Sequence, residues 1–527
     1  MLRERTKKQL NSIFDSINSQ LKIVIKKIKE FPKARLEIEK LIYSHPIYQN
    51  FQDLINFHCI INYQEYEENI QKSKETAEMY KLREKELNKI KDFVQVHYNN
   101  LLLDKNINLN EENNSDNTEF IKKKRGEIRF KNCYICKVKF SDNNIHKFYH
   151  NLCKNCGDYN YSFREMNYNW KNRIAIVTGG RVKIGFHIAI KLLSYNCIVI
   201  ITTRFPKDAL IRFQSHPDYQ KWKNNLFIYP IDFRIIESTV KFIEYIEKNF
   251  SHIDILINNA AQTIRRKTEY YKYLLSIESK QLSDENIIIK NETYQSLPTK
   301  NNNLISNESI DQTLTKYDQN NINLYKEIFP LSVIASQIKI MEEKNQPLKT
   351  IIDNNGQPYD FSTEKNSWQL EIDEISFTEF LEVQIINTWT PYYLNIKLKP
   401  LLEKSPFPDK YIVNVSSVEG IFNAFKKSTH CHTNMAKAAL NMMTRTVGSY
   451  YKNKQIYMTS VDTGWISPMN DVGHIFKNKD NFEEEFKNLP LDELDGAMRV
   501  LHPIIQGIHF KQYLYGILLK DYKKTDW

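Results

Sequence analysis

Between Leu10 and Phe31 the apolar residues Leu10, Ile13, Phe14, Ile17, Leu21, Val24, Ile25 and Ile28 recur at spacings of three and four, the stripe of one helix face. The same period returns in YKLREKELNKIKDFVQVHYNNLLL, with Lys and Glu on the polar side. Residues 1–120 therefore read as an α-helical arm, a small packed bundle that ends in the polar linker NLNEENNSDN near residues 106–120. From Asn172 the texture changes. RIAIVTGG is a short buried strand running into glycines, FHIAIKLLSY is amphipathic, and CIVIITTR is again β-branched. NLFIYPIDF, a helix through TVKFIEYIEKNF and the strand DILINNAA continue the alternation, which predicts an α/β doubly wound parallel sheet over residues 171–527.

The alternation dissolves between about 267 and 365 into Asn-, Ser- and Lys-rich sequence, in which LSVIASQIKIMEE suggests one short helix. A run of this length inside a compact unit reads as a partly disordered surface insertion. Order returns with a long helix through NSWQLEIDEISFTEFLEVQIINTWTPYYLNIKLKPLLE. The strand KYIVNVSS, the helix AKAALNMMTRTVGSYYK and the strand QIYMTSVD follow.

Length and composition add bounds. At 527 residues the chain has room for several units, and 41% hydrophobic and 12% aromatic residues argue against wholesale disorder. The net charge of +11 suits an anionic cofactor or a polyanion, although Lys-rich drift alone also produces it. No run of 18 apolar residues occurs, so no membrane partner is expected. The first residues, MLRERTKKQLNSIF, lack the apolar core of a signal peptide, so a cytoplasmic, reducing setting is the expectation.

The cysteines agree with that setting. Cys133 and Cys136 form one Cys-x-x-Cys pair and Cys153 and Cys156 another, with 16 residues between them. This spacing presents four thiolates tetrahedrally to zinc, and a closed four-sulfur site is structural, so residues 126–165 read as a small zinc-binding module. His146 and His150 lie in the intervening loop as surface or supporting residues, or as a substitute ligand. Zinc ribbons also bind nucleic acid, and KKKR at 122–125 stands just upstream, which leaves nucleic acid as a lesser alternative.

TGGRVKIG, Thr178 to Gly185, follows the first strand and opens a helix. Backbone amides at such a glycine turn suit a pyrophosphate, because glycine permits close approach and the helix end carries partial positive charge. Farther on stand NNAA at Asn258 to Ala261, NVSS at 414–417 and AKAAL around Lys437. In this order the motifs resemble TGxxxGxG, NNAG, the serine-bearing strand and the lysine of the short-chain dehydrogenase/reductase family, over residues 172–266 and 366–470. The sequence is also similar to a branch in which a Cys-x-x-Cys segment precedes the first strand and a phrase like LLKDYKKTDW closes the chain.

The resemblance implies a Rossmann-like fold with a nicotinamide dinucleotide at the sheet's carboxyl edge. It places Thr178, Gly179, Arg181, Lys183, Ile184 and Gly185 in the dinucleotide turn. Asp232 matches the acid near the adenine, Asn258 and Ala260 the segment beside the ribose, and Ile466 the contact to the nicotinamide amide. Asn387 matches the asparagine of the proton relay, Ser417 the serine that hydrogen-bonds the substrate oxygen, and Lys437 the lysine that holds the nicotinamide ribose. The implied substrate is a small-molecule alcohol or carbonyl, and the implied assembly is a homo-oligomer. At the end of the second strand Thr202, Thr203 and Arg204 offer no acid for the NAD ribose, and Arg204 suits a 2′-phosphate, so NADP is expected over NAD.

Three departures stand out. Lys183 occupies the middle glycine position, and Thr463-Gly464 replaces the usual Pro-Gly. Thr433 fills the slot of the catalytic tyrosine, four residues before Lys437. A phenol ionises near pH 10 and an alkyl hydroxyl at about 15 to 16, a gap of roughly 7 to 8 kcal/mol, so threonine is a poor substitute for the proton step. The interval from Ser417 to Thr433 is longer than the family pattern and brings in His430 and His432. Either His432 or Thr433 would then handle the proton; the alternative is a non-catalytic NADP(H)-binding sensor or scaffold.

Overall fold

The computed structural model describes residues 77–97, 131–140, 145–289, 331–336, 352–353, 357–361, 364–469, 471–472 and 488–527. These belong to one compact unit formed by Lys74–Asn113, Lys131–Phe140 and Asn144–Trp527. The stripe at residues 10–31, the linker near 106–120 and KKKR at 122–125 lie outside the described residues.

The described chain begins with helix α1 (Glu78–His97), the part of the predicted arm that the structure describes. A two-stranded antiparallel ribbon follows, β1 (Lys131–Asn132) with β2 (Lys139–Phe140), and then α2 (Lys154–Arg164). The alternating part runs β3 (Ile174–Val177), α3 (Lys183–Ser194), β4 (Ile198–Thr203), α4 (Pro206–Gln214), β5 (Leu226–Pro230), α5 (Ile236–Asn249) and β6 (Ile255–Asn258). After the insertion, whose first stretch forms α6 (Lys272–Glu278), come α7 (Phe377–Gln384), α8 (Thr390–Lys397) and β7 (Lys410–Ser416). The chain closes with α9 (Cys431–Lys452), β8 (Ile456–Asp462), α10 (Glu493–Phe510), β9 (Leu518–Lys520) and β10 (Lys523–Thr525).

The sheet order is β10-β9-β8-β7-β6-β3-β4-β5, parallel throughout except for the β9–β10 pair. Side chains alternate between faces along each strand. Ala175, Val177, Val199 and Ile201 join one core with α3 and α10, whereas Ile174, Ile176 and Ile200 join the other with α5 and α8. Burial on both faces explains why these strands read as continuous apolar runs. From β3 the chain winds out through β4 and β5, then returns to β6 on the other side. That reversal opens a crevice at the carboxyl ends of β3, β4 and β6, where open α/β sheets bind ligands.

Two elements depart from the sequence pattern. The long helix starts only at Phe377, because the Ser376 hydroxyl accepts from the Glu379 amide at 3.1 Å and caps the first turn. It is then interrupted by a π-turn, Ile385–Trp389, before continuing as α8. The terminal LLKDYKKT, which carries no strand reading in the sequence, forms the β9–β10 hairpin and adds two strands to the sheet edge.

Candidate functional site

The glycine turn is tied to the neighbouring strand ends. The Thr178 hydroxyl accepts from the amides of Asn259 and Ala260, both at 2.9 Å, and the Asn259 side chain donates to the carbonyls of Thr178 and Gly179 at 2.9 and 3.2 Å. The Gly179 amide in turn donates to the Thr202 hydroxyl at 3.1 Å. Gly179 has φ of +69° and a Cβ there would lie 3.0 Å from the Ala260 Cα; one at Gly185 would lie 2.2 Å from the Gly179 carbonyl oxygen. A side chain at Gly185 would collide with the backbone, and one at Gly179 would be strained by its φ and tight against Ala260. Lys183 keeps the left-handed turn with φ of +52°, a conformation costing about 1 kcal/mol for a side-chain-bearing residue.

Above this turn lies a cleft of ≈ 800 Å³. Its wall brings together Gly179, Arg181, Lys183, Ile184, Gly185, Thr203, Arg204, Asp232 and Ala260. Lys183 makes no ion pair among the described residues, and burial pushes its ammonium down from the usual lysine range against the pull of Asp353 and Glu493. Arg204 likewise pairs with no carboxylate among the described residues; it donates to the Tyr271 hydroxyl at 2.9 Å. Other charges are already matched. Arg181 pairs with Asp208 at 2.6 Å, and Asp232 is clasped by Arg234 at 2.7 Å. Burial works to raise the Asp232 carboxyl, yet Arg234 outweighs it and holds the group below the ordinary carboxylate range.

The roof of the cleft comes from segments whose sequence gave no such sign. Met79, Leu82, Arg83 and Glu86 of α1 line it, together with Tyr270, Tyr271 and residues 357–360 of the insertion. Arg83 donates to the carbonyls of Ile466 and Leu491 at 3.3 and 3.4 Å, Lys89 to that of Ile352 at 3.1 Å, and Tyr359 to Glu86. Arg266 bridges Asp360 and Asp471 at 2.8 and 2.5 Å. The described parts of the insertion, Tyr270, Tyr271 and residues 357–360, are thus ordered cover over the cleft.

The residues expected near the reacting atoms stand beside the cleft, outside its lining. Ser417, half-buried, directly follows β7, and Lys437, buried on α9, donates from Nζ to the Val415 carbonyl at 2.8 Å. Burial pushes the Lys437 ammonium down to about 8, with Glu419 and Asp462 opposing. Asn258 is a strand clamp, donating to Asn395 and Asn414 at 2.9 and 2.8 Å. The Asn387 side chain, in the π-turn, is fully engaged with the backbone of Gln262, accepting at 2.8 Å and donating at 2.9 Å. Thr433 is buried and its hydroxyl has no hydrogen-bond partner among the described residues. His432 is turned elsewhere: its ring is 0% exposed and its Nε2 lies 3.7 Å from Glu379 on α7. His430 stacks on Trp368 with ring centroids 3.8 Å apart and is also buried.

The four cysteines Cys133, Cys136, Cys153 and Cys156 converge, their sulfurs all within 4.8 Å of one another. Sulfurs placed tetrahedrally at about 2.3 Å from zinc are about 3.8 Å apart, and the Cys136–Cys153 pair measures 3.8 Å. His146 is not part of this cluster; its Nδ1 accepts from the Phe148 amide at 3.1 Å. The module is fastened to the start of α10 and to the segment after β8. Tyr149 and Asn160 donate to Asp495 at 2.5 and 2.9 Å, Arg164 pairs with Asp492 and Asp495 at 2.7 and 2.8 Å, and the Trp465 amide donates to the Tyr134 hydroxyl at 2.9 Å. Ile466 is buried in the apolar cluster of Cys133, Phe148, Tyr149, Leu152 and Leu491.

Sequence reasoning missed Asn259, Arg234, Tyr271 and the α1 residues. Asn259 lies inside the NNAA motif and was within reach; the others carry no local signal. Among the described residues no helix is long and apolar enough to cross a membrane.

Residues 173–276 match the family model described as short chain dehydrogenase. An uncharacterized protein of Acanthamoeba polyphaga mimivirus is 29% identical over 405 residues, covering 74% of this chain and 74% of its own. An uncharacterized oxidoreductase of Saccharomyces cerevisiae is 30% identical over 119 residues, 22% of this chain and 35% of that protein. Among solved structures, the carbonyl reductase Sniffer of D. melanogaster aligns over 68% of this chain and 100% of its own, at 17% identity and a TM-score of 0.39.

Proposed function

We propose that this chain, whose residues 173–276 match the family model described as short chain dehydrogenase, is an NADP(H)-dependent oxidoreductase of that family acting on a small alcohol or carbonyl compound. One observation carries the reading: the cleft at the sheet's carboxyl edge has a floor that admits no side chain at Gly185 and strains one at Gly179, beside two cations, Lys183 and Arg204, in no ion pair with a carboxylate among the described residues. Phosphate oxygens meet such a floor well, since the α3 amino terminus lies at the same turn. The absence of an acid after β4 removes the group that would repel a 2′-phosphate.

When bound, the nicotinamide supplies or accepts a hydride. The chain's own part is positioning. Lys437, held by the Val415 carbonyl, would orient the nicotinamide ribose, and Ser417 would hydrogen-bond the substrate oxygen. Asn387 spends its side chain on Gln262, so its contribution would be to fix the segment after β6. Thr433 sits one helical turn before Lys437, on the same side of α9. Its alkyl hydroxyl forgoes most of the 10²- to 10⁴-fold that general acid catalysis typically supplies. The four cysteines would hold a structural zinc, which closes the module against Ile466.

A second reading, a non-catalytic NADP(H)-binding sensor or scaffold, is favoured by Thr433 and His432, since one is a poor acid and the other is enclosed against Glu379. The two readings part in a single-turnover experiment with NADPH and a panel of aldehydes and ketones, followed by nicotinamide absorbance. The oxidoreductase reading expects slow oxidation of NADPH that Ser417→Ala slows further without changing dinucleotide affinity. Intact binding with no oxidation by any carbonyl sinks that reading and leaves the scaffold.

A further inference from the structure

The insertion segment Thr268–Tyr271 and α6 serves no purpose in a plain α/β alternation, yet it is bolted to the tip of β4. Phe205, Leu274, Leu275 and Val333 form a buried apolar cluster, and the Ser332 hydroxyl donates to the Arg204 carbonyl at 2.9 Å. At its centre the Arg204 guanidinium lies 4.5 Å from the Tyr271 ring centroid and donates to the Tyr271 hydroxyl at 2.9 Å. The Tyr271 ring also stacks on Phe205, centroids 5.5 Å apart and planes at 29°.

We propose that the insertion completes a 2′-phosphate subsite in the cleft, in which the Tyr271 hydroxyl donates to the phosphate beside Arg204 and thereby sets the preference for 2′-phosphorylated dinucleotides; this rests on the dinucleotide reading above. The charge balance points there. Three guanidinium groups act electrostatically on the phenol, and two are matched: Arg234 by Asp232 and Glu382, Arg266 by Asp360 and Asp471. Arg204 alone of these has no carboxylate partner among the described residues. Because Tyr271 accepts from Arg204, its own hydroxyl proton is directed to another acceptor, and Tyr271 and Arg204 both line the cleft. Burial works to raise the phenol, but Arg204 above all, with Arg266 and Arg234, holds it below the ordinary tyrosine range, which strengthens it as a donor. A 2′-hydroxyl, uncharged, would gain far less from the same pair.

The test is calorimetric titration of the full chain with adenosine 2′,5′-bisphosphate and with 5′-AMP, in wild type and in Tyr271→Phe, which keeps the ring stacking and removes only the hydroxyl. The expected result is tighter binding of the bisphosphate by wild type and a loss of about tenfold in Tyr271→Phe, with 5′-AMP changed by less than about twofold. Equal effects on the two ligands, or no effect on either, would overturn the proposal, as would a wild type that does not prefer the bisphosphate. Failure of the oxidoreductase reading looks different: the fragments bind and Tyr271→Phe discriminates between them, yet no carbonyl is reduced.

Discussion

Raising the pH from about 7 to about 10 should weaken dinucleotide binding while stabilising the empty protein, and Lys437→Met should remove both trends. The Lys437 side chain is 7% exposed, and burial lowers its ammonium from 10.5 to about 8, against the opposing carboxylates of Glu419 and Asp462. That depression of the Lys437 ammonium corresponds to roughly 3 kcal/mol. The sign follows from proton counting. Between about 8 and 10.5 the unfolded chain still holds a proton that the folded one has released, so stability rises with pH across this window and the burial cost is fully present below it. The ammonium that would hold the nicotinamide ribose is lost over the same window, so the lysine-dependent part of the affinity should fall about tenfold per unit above pH 8. The assay is urea unfolding of the empty protein and fluorescence titration with NADPH at each pH, each taken as wild type minus Lys437→Met so that other titrating groups cancel. An affinity difference that is flat across this range, or one that grows with pH, would refute the reasoning.

Gly185→Ala should abolish dinucleotide binding with the fold retained, because the new Cβ would lie 2.2 Å from the Gly179 carbonyl oxygen and 2.5 Å from the Asn259 amide; titration with near-native circular dichroism checks it. Purified protein should carry about one zinc per chain by elemental analysis, since four thiolates saturate one tetrahedral ion. Chelation should lower the melting temperature and weaken dinucleotide binding together, through the shared Ile466 cluster. Tyr149→Phe should cost about 1 to 3 kcal/mol in urea unfolding, as it removes the hydroxyl bonded to the buried Asp495.

The alternating strands were legible because both faces of β3 and β4 are buried, which forces uninterrupted Ile and Val runs, and because Gly179 and Gly185 occupy positions that strain or reject a side chain. The cysteine spacing was legible for a similar reason: two short turns bring four sulfurs to one point. What the sequence hid depends on long-range pairing. Arg181 stands inside the glycine turn as a candidate phosphate ligand, but Asp208, 27 residues later, takes its charge. Asp232 likewise spends its carboxylate on Arg234. The roof over the cleft joins α1 to Ile352 and Tyr359 through Lys89 and Glu86, and an Asn- and Lys-rich run without a period gives no hint of such contacts. His432 was an attractive proton donor because it adjoins Thr433, yet neighbours on a helix point about 100° apart, and the ring faces Glu379.

The central claim, a 2′-phosphate-preferring dinucleotide cleft at the carboxyl edge of the sheet, is tested most directly by titrating the zinc-replete full chain with NADPH and NADH and repeating both titrations with Lys183→Ala. The account predicts that NADPH binds more tightly than NADH and that Lys183→Ala weakens both, since the pyrophosphate is common to the two. Binding of neither dinucleotide, or a wild type that favours NADH, would contradict it.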